Sequence, residues 1–226
     1  VFERFFNDFG KSVDDYYELE RLDPGYQVYF GKNDSIYIGD HLEKIYNVFE
    51  GVEKGSAQKL KKFIQKASDN YKIAMNDLVY RPGISPLELI TPETIKKFGY
   101  FFSNVKKEVN KEFKNSKLTQ ILQFPVLFLG AKPADTPAFY NFMNFADFGL
   151  GTWHPKNGMY SIVEAMVSLA KSLGVKIFLN SPVEEILLEK NKAIGIKIKN
   201  EIILSDIILS GADYHHTETL IPANFR

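Results

Sequence analysis

No cysteine occurs in the 226 residues, which excludes disulfides, thiol catalysis and cysteine-bound metal together. Histidine is scarce too. There are four, and two of them, His215 and His216, are adjacent. Adjacent rings point to different sides of a helix or strand, which is poor spacing for metal ligands. No metal is expected, and both rings are expected at the surface. Nor is there an excess of either charge: 28 basic side chains balance 28 acidic ones. A nucleic-acid binder shows a basic face or stripe, so no nucleic-acid partner is expected. Apolar runs stay short of the roughly 18–20 residues that span a bilayer as a helix. The start, Val1-Phe2-Glu3-Arg4, lacks the charged-then-apolar order of a secretory leader. Gly-x-Gly-x-x-Gly is also missing, so the chain carries no glycine cradle for a dinucleotide phosphate.

What is present is core-forming material. Hydrophobic residues make up 45% of the chain and aromatics 14%, enough for one large domain or two small ones. The densest stretch is residues 124–160. It opens with the apolar run Val126 to Leu129, ends that run at Gly130, and crosses a polar loop with Pro133 and Pro137. Pro137 suits the first turn of a helix. Phe139, Tyr140, Phe142, Met143, Phe145 and Phe148 then cover more than one helical face, so this helix is either deeply buried or lines an apolar cavity. Gly149 and Gly151 stop it. Thr152 to Pro155 is predicted as a short strand and Asn157-Gly158 as a tight turn. Nothing here pairs a nucleophile with a base; the stretch suits a wall around something large and apolar.

The residues before it are mostly helical. Residues 1–10 predict a short helix stopped by Gly10. Asp23-Pro24-Gly25 is a turn signal, and Tyr26–Phe30 with Ser35–Ile38 predict a β-hairpin. Tyr26 and Tyr29 suit the core of such a hairpin. Helices are predicted for His41–Val52, for Lys54–Tyr80 and, from Thr91, through Ile95, Phe98, Tyr100, Phe101, Phe102, Val105 and Val109. A short one covers Ser116–Gln123. The lysine faces of these helices are either solvated or drawn to anionic lipid heads. The aromatics at 98–102 beside lysines fit a peripheral membrane surface as well as helix packing. Ser85, Pro86 and Glu88 form a capping-box pattern. The alternative for Glu88 is a general acid or base at a cavity mouth, and it is the one weak catalytic candidate.

After residue 158 the pattern gives an amphipathic helix, Met159–Leu173, closed by Gly174. Short strands follow: Val175–Leu179, Val183–Leu188, Ala193–Ile198, Glu201–Leu204 and Asp206–Leu209, in an antiparallel or mixed sheet. Ser210-Gly211-Ala212-Asp213 brings small residues that permit close backbone approach; Asp213 suits a helix cap equally. The fold class is α/β (α+β).

Residues 124–160 closely resemble the bacterial carotenoid desaturases, the phytoene desaturase type of FAD-dependent oxidoreductase. The residues that carry the resemblance are Phe128-Leu129-Gly130, Pro133, Pro137-Ala138, Tyr140, Gly151, Trp153, Pro155 and Gly158-Met159. Leu22, Pro24, Tyr26 and Phe30 add to it, as do Gly174, Val175, Ile177, Val183 and Ile186. The chain departs from the pattern at Asn157, where the family has glycine, and at His154, where it often has an aromatic.

The resemblance implies the substrate domain of a two-domain FAD flavoprotein with part of its dinucleotide-binding domain, lacking the N-terminal Rossmann motif. Residues 1–173 would form the substrate and membrane-associated domain, 174–213 strands of the FAD-binding domain, and 214–226 a return. The chain starts without Met inside an amphipathic pattern and is expected to be a piece of a longer protein, inactive alone and unlikely to retain FAD. By resemblance Phe139, Tyr140, Phe142, Met143, Trp153 and His154 would bind a carotenoid or other isoprenoid substrate. Val183, Ala212 and Asp213 would contact FAD. The helices between about Lys54 and Gln123 would meet the membrane, from the cytoplasmic side.

The implied reaction is insertion of conjugated double bonds into phytoene or a relative. Alternatives are a desaturase or isomerase of another isoprenoid, such as a hydroxylated carotene or a retinoid, and a non-catalytic isoprenoid-binding module. An amine substrate would want an acidic or aromatic cage, and residues 124–160 are too uniformly apolar to lead there.

Overall fold

The computed structural model describes residues 2–82, 84, 85, 88, 90–96, 99 and 103–225. The expected aromatic surface at Phe98, Tyr100, Phe101 and Phe102, and the helix-start role of Pro86, lie outside the described residues. The chain divides into two compact units, residues 1–165 and 166–226.

The first unit is built on a hairpin and a helical core. Helix α1 (Phe2–Asp8) ends before Gly10, whose φ is 67°. A short ribbon pairs β1 (Leu19–Arg21) antiparallel with β4 (Trp153–Pro155), Arg21 opposite Trp153. Strands β2 (Tyr26–Gly31) and β3 (Asp34–Ile38) form the expected hairpin. Helix α2 (Leu42–Val52) follows His41, and α3 (Ser56–Asn76) is the longest element. Their apolar positions recur at helical spacing and point inwards. Ile45 and Phe49 of α2 meet Leu60, Phe63 and Ile64 of α3 in one core with Ile36 and Ile38 of β3. Phe49 is fully buried and stands edge-on to Phe113 and Phe148, centroids 6.1 Å apart in each pair. Burying one such ring stabilises by about 1.5–3 kcal/mol.

The single helix expected from Thr91 through Val109 is not continuous. Helix α4 spans Pro92–Lys96, and α5 (Val105–Glu112) starts afresh. Asn104 lies in extended backbone and its Oδ1 accepts from the Lys107 N–H at 2.8 Å. That N-cap satisfies an orphan donor and fixes the new start. Helix α6 (Ser116–Gln123) is capped the same way by Asn115.

Residues 124–155 do not form one regular helix. A 3₁₀ segment, Phe124–Leu129, is ended by Gly130 at φ 65°. Another, Ala138–Asn141, runs into α7 (Phe142–Phe145) and then a π-helical turn, Ala146–Leu150. A buried hydrogen bond from Asn70 Nδ2 to Asn141 Oδ1, 2.9 Å, ties this run to α3.

In the second unit, α8 (Tyr160–Ser172, begun in the first unit) ends in a turn around Gly174, φ 81°, with the Val175 N–H donating to the Ala170 carbonyl at 3.0 Å. Strands β5 (Glu185–Glu189), β6 (Lys192–Ile198) and β7 (Glu201–Leu204) form an antiparallel sheet in sequence order. Helix α9 (Tyr214–Thr219) follows. Two expected strands, Val175–Leu179 and Asp206–Leu209, are absent. A strand needs a neighbour for its N–H and C=O groups, and among the described residues neither segment pairs with one. Their apolar side chains stand in solvent, Leu179 at 80% and Leu209 at 94% exposure.

Candidate functional site

The first unit contains a cavity of about 730 Å³. Three elements make its walls. Strand β2 contributes Tyr26, Val28 and Phe30, which alternate onto one face of the hairpin. Helix α6 contributes Ile121, and the 3₁₀ segment contributes Phe124, Leu127 and Phe128. The short hydrogen-bonding period of the 3₁₀ turn follows from Pro125, which cannot donate to a continuing α-helix. It leaves Leu127 and Phe128 exposed, Phe128 at 75%, as an apolar rim.

The lining also holds the polar residues Gln27, Gln120, Gln123 and Thr152 and one carboxyl, that of Asp147. Asp147 lies in the π-helical turn, a local widening that recurs at functional sites, and it lines the cavity. The Tyr26 hydroxyl donates to Asp147 Oδ2 at 2.6 Å, across 121 positions of sequence. Burial pushes the Asp147 carboxyl up, and the hydrogen bond from Tyr26 opposes that shift without cancelling it. Burial first, and then the neighbouring carboxylate, raise the Tyr26 phenol well above its ordinary range. The couple therefore holds a neutral phenol against a carboxyl whose proton is bound more tightly than usual.

Thr152 closes the floor. Its carbonyl accepts from Leu22 N–H at 2.9 Å, and Gly25 approaches so closely that an added Cβ would lie 3.3 Å from Thr152 Oγ1. Gly25 also donates its N–H to the Ile38 carbonyl at 2.8 Å. The β1–β4 ribbon and the hairpin are thereby held together beneath the cavity.

None of the site residues singled out from sequence belongs to the described lining of this cavity. Phe139 is buried, with Phe142 5.7 Å away; Tyr140 and Phe142 are half-buried, 5.4 Å apart, and Met143 is half-buried. Trp153 and His154 are exposed on β4. The Trp153 indole N–H donates to the Leu150 carbonyl at 2.8 Å, and the Arg21 guanidinium sits 5.7 Å above its ring. Glu88 Oε1 accepts from the N–H groups of Ile84 and Ser85 at 2.9 and 3.0 Å, the geometry of the capping pattern. In the second unit Val183 is half-buried, and Ala212 and Asp213 are exposed. Asp213 Oδ1 accepts from the His216 N–H at 3.2 Å as the cap of α9. His215 and His216 are exposed, as expected.

From sequence alone Tyr26 is a packing residue, and Asp147 is not singled out. A signal for the latter existed: it is the one acidic residue between Asp135 and Glu164, set in the aromatic run Phe145-Ala146-Asp147-Phe148. An isolated carboxyl among aromatics must be satisfied by a partner or a ligand.

Comparison with known proteins adds the following. Residues 84–206 match the family described as flavin containing amine oxidoreductase. The chain is 33% identical to a carotenoid 3,4-desaturase of Haloarcula japonica, over 100% of this chain and 46% of that protein. It is 28% identical to a zeta-carotene-forming phytoene desaturase of Myxococcus xanthus, over 98% of this chain and 44% of that protein. The chain thus spans less than half the length of these relatives. A solved oxidoreductase from Methanosarcina mazei is similar with a TM-score of 0.48 and 20% identity, over 91% of this chain and 42% of that one.

Proposed function

This chain belongs to the flavin containing amine oxidoreductase family, and from that membership we propose that it is part of an FAD-dependent desaturase that introduces conjugated double bonds into phytoene or a related carotenoid. The observation that carries the reading is the cavity of the first unit: large, apolar on nearly all sides and open through an apolar rim. Such a site recognises by shape and hydrophobic contact, which is what a long hydrocarbon offers. The similarity to two carotenoid desaturases over nearly the whole chain supports the same conclusion.

FAD, when bound, supplies the acceptor for hydride. Val183, Ala212 and Asp213 would offer a dinucleotide main-chain contact at most, since Asp213 spends a carboxylate oxygen on its own helix and the glycine cradle is not in this sequence. These residues do not by themselves make a flavin site. What this chain supplies to the reaction is the substrate's cavity. Its aliphatic and aromatic walls hold the polyene extended and exclude water from it.

The exposed segments Val175–Leu179 and Asp206–Leu209 would be covered by further strands of the cofactor domain in the whole protein. Their strand-forming sequence and exposed apolar side chains support that. Among the described residues no helix is long and apolar enough to cross a membrane. Peripheral contact is proposed instead, with Phe124, Leu127, Phe128 and Leu129 as the residues that meet the bilayer where a carotenoid resides; all four are exposed.

The test is a turnover assay. The full gene product, loaded with FAD, is mixed with liposomes carrying phytoene, and the absorption spectrum is followed. Bands moving to longer wavelength as conjugation grows are expected. An unchanged spectrum with flavin-loaded protein overturns the reading.

A further inference from the structure

We propose that Arg21, on the β1–β4 ribbon, is the group that meets the pyrimidine end of a flavin ring and raises its reduction potential. This rests on the reading of the chain as part of a flavoprotein.

The observation is an unanswered charge. The Arg21 side chain is half-buried, and its Nε is closed off from solvent with no hydrogen-bond acceptor. Among the described residues no carboxylate pairs with it. The acids nearby are committed or turned away. Glu18 pairs with Lys156, Asp147 accepts from Tyr26 at 2.6 Å, and Glu20 points to the opposite face of the strand. A guanidinium held in this way costs free energy until an anion meets it. Gly151 makes the room for it. A Cβ at Gly151 would lie 2.6 Å from Arg21 Nε, so a side chain there would push the guanidinium off the ribbon.

The surroundings select the anion. A phosphate wants several N–H donors around it, and the main-chain donors here are spent. Leu22 N–H donates to the Thr152 carbonyl at 2.9 Å, Gly151 N–H to the Asp147 carbonyl at 3.0 Å, and Lys156 N–H to the Glu18 carbonyl at 3.0 Å. A planar cation beside a planar ring remains. Trp153 is 50% exposed, and the guanidinium sits 5.7 Å from its ring centroid. Such a pair fits a flat conjugated ring with negative charge at one edge. A flavin that has taken up two electrons and one proton is a ring of this kind. The charge left over lies at its N1 edge, and a cation there favours the reduced form. The place suits the chemistry as well. Thr152, between Gly151 and Trp153, lines the cavity, so a ring laid on the ribbon would stand beside the substrate.

The experiment measures the reduction potential of the FAD-loaded full gene product against a reference dye, with dithionite supplying the electrons. In Arg21→Met the equilibrium should move at least tenfold towards oxidised flavin, the worth of a charge-assisted hydrogen bond. For a two-electron couple that is a fall of about 30 mV. Arg21→Lys should recover most of the fall. Should Arg21→Met not fold, Arg21→Gln removes the charge and keeps a polar side chain, and the same fall is expected of it. A potential equal to the parent's in the folded neutral variants overturns the proposal and leaves the flavoprotein reading standing. A weaker hold on FAD at unchanged potential is what a contact to the diphosphate would give, and it overturns the proposal too. So does a fall in Arg21→Lys as large as in Arg21→Met, because shape and not charge would then be at work. A folded full gene product that takes up no FAD overturns the flavoprotein reading and the proposal with it.

Discussion

The two units handle apolar sequence in opposite ways. In residues 1–165 the hydrophobic positions of hairpin and helices converge, and Phe49, Leu60, Val109 and Leu118 lose all contact with water. In residues 166–226 the sheet β5–β6–β7 buries Ile186, while Ile202, Ile203 and Leu204 along β7 stay exposed. Both regions are rich in apolar residues, so composition does not distinguish them. The difference lies in where the partners are. Helices of the first unit find theirs within the same stretch of chain. Strands need neighbours for hydrogen bonds as well as for side-chain burial; β5, β6 and β7 pair with one another, but among the described residues Val175–Leu179 and Asp206–Leu209 pair with none.

The largest expected effect that sharpens this contrast is in the first unit. Phe49→Ala removes a ring packed against Phe113 and Phe148 and should cost about 3–5 kcal/mol, read as a lower urea midpoint. If Phe49→Ala is tolerated without loss, the first unit does not hold the closed core described.

Next comes Gly195 of β6. A Cβ there would lie 2.6 Å from the Ile203 carbonyl oxygen on β7, a backbone atom that cannot swing aside. Gly195→Val should therefore separate the two strands, at about 1–3 kcal/mol, and amide exchange in 201–204 should quicken while the core of the first unit stays protected.

A smaller effect concerns Asp147. Its folded carboxyl is raised by burial. A raised carboxyl contributes stability that is fully present below its ordinary value and lost as pH rises through the folded value. Asp147→Asn removes that loss. The variant should melt higher than the parent at neutral pH, and the advantage should disappear in acid. A melting difference independent of pH contradicts the burial argument.

The smallest expected effect is Leu209→Ser. On the 226-residue chain the side chain is almost fully exposed, and the change should stay within about 0.5 kcal/mol. In the whole protein a clear destabilisation is expected if further strands cover the segment. Equal tolerance in both settings would show that nothing covers it.

Much of this fold was legible in the sequence. Ser116–Gln123 and the hairpin Tyr26–Ile38 matched their periods because local caps and turns agree with the burial pattern. The break at Asn104 was missed because apolar spacing runs through it, and a capping asparagine outweighs that spacing only when the chain before it leaves the helix. The strands at 175–179 and 206–209 were overcalled because strand propensity reports the wish for a neighbour and not its presence. The cavity was half legible. The sequence makes residues 124–160 a wall, and Phe124, Leu127, Phe128, Pro133, Asp147 and Thr152 from that stretch do line it. Which aromatics face inward was not readable, because a segment apolar on all faces has no preferred face. Here 3₁₀, α and π turns follow one another, and each rotates the side chains by a different angle.

The measurement that tests the account most directly is photo-crosslinking of the full gene product with an isoprenoid carrying a diazirine at one end, followed by mapping of the labelled peptides. The account predicts label within residues 26–30, 120–128 and at Asp147, suppressed by unlabelled carotenoid. Suppressible label confined to residues 139–143 and 153–154, or to the second unit, would contradict it.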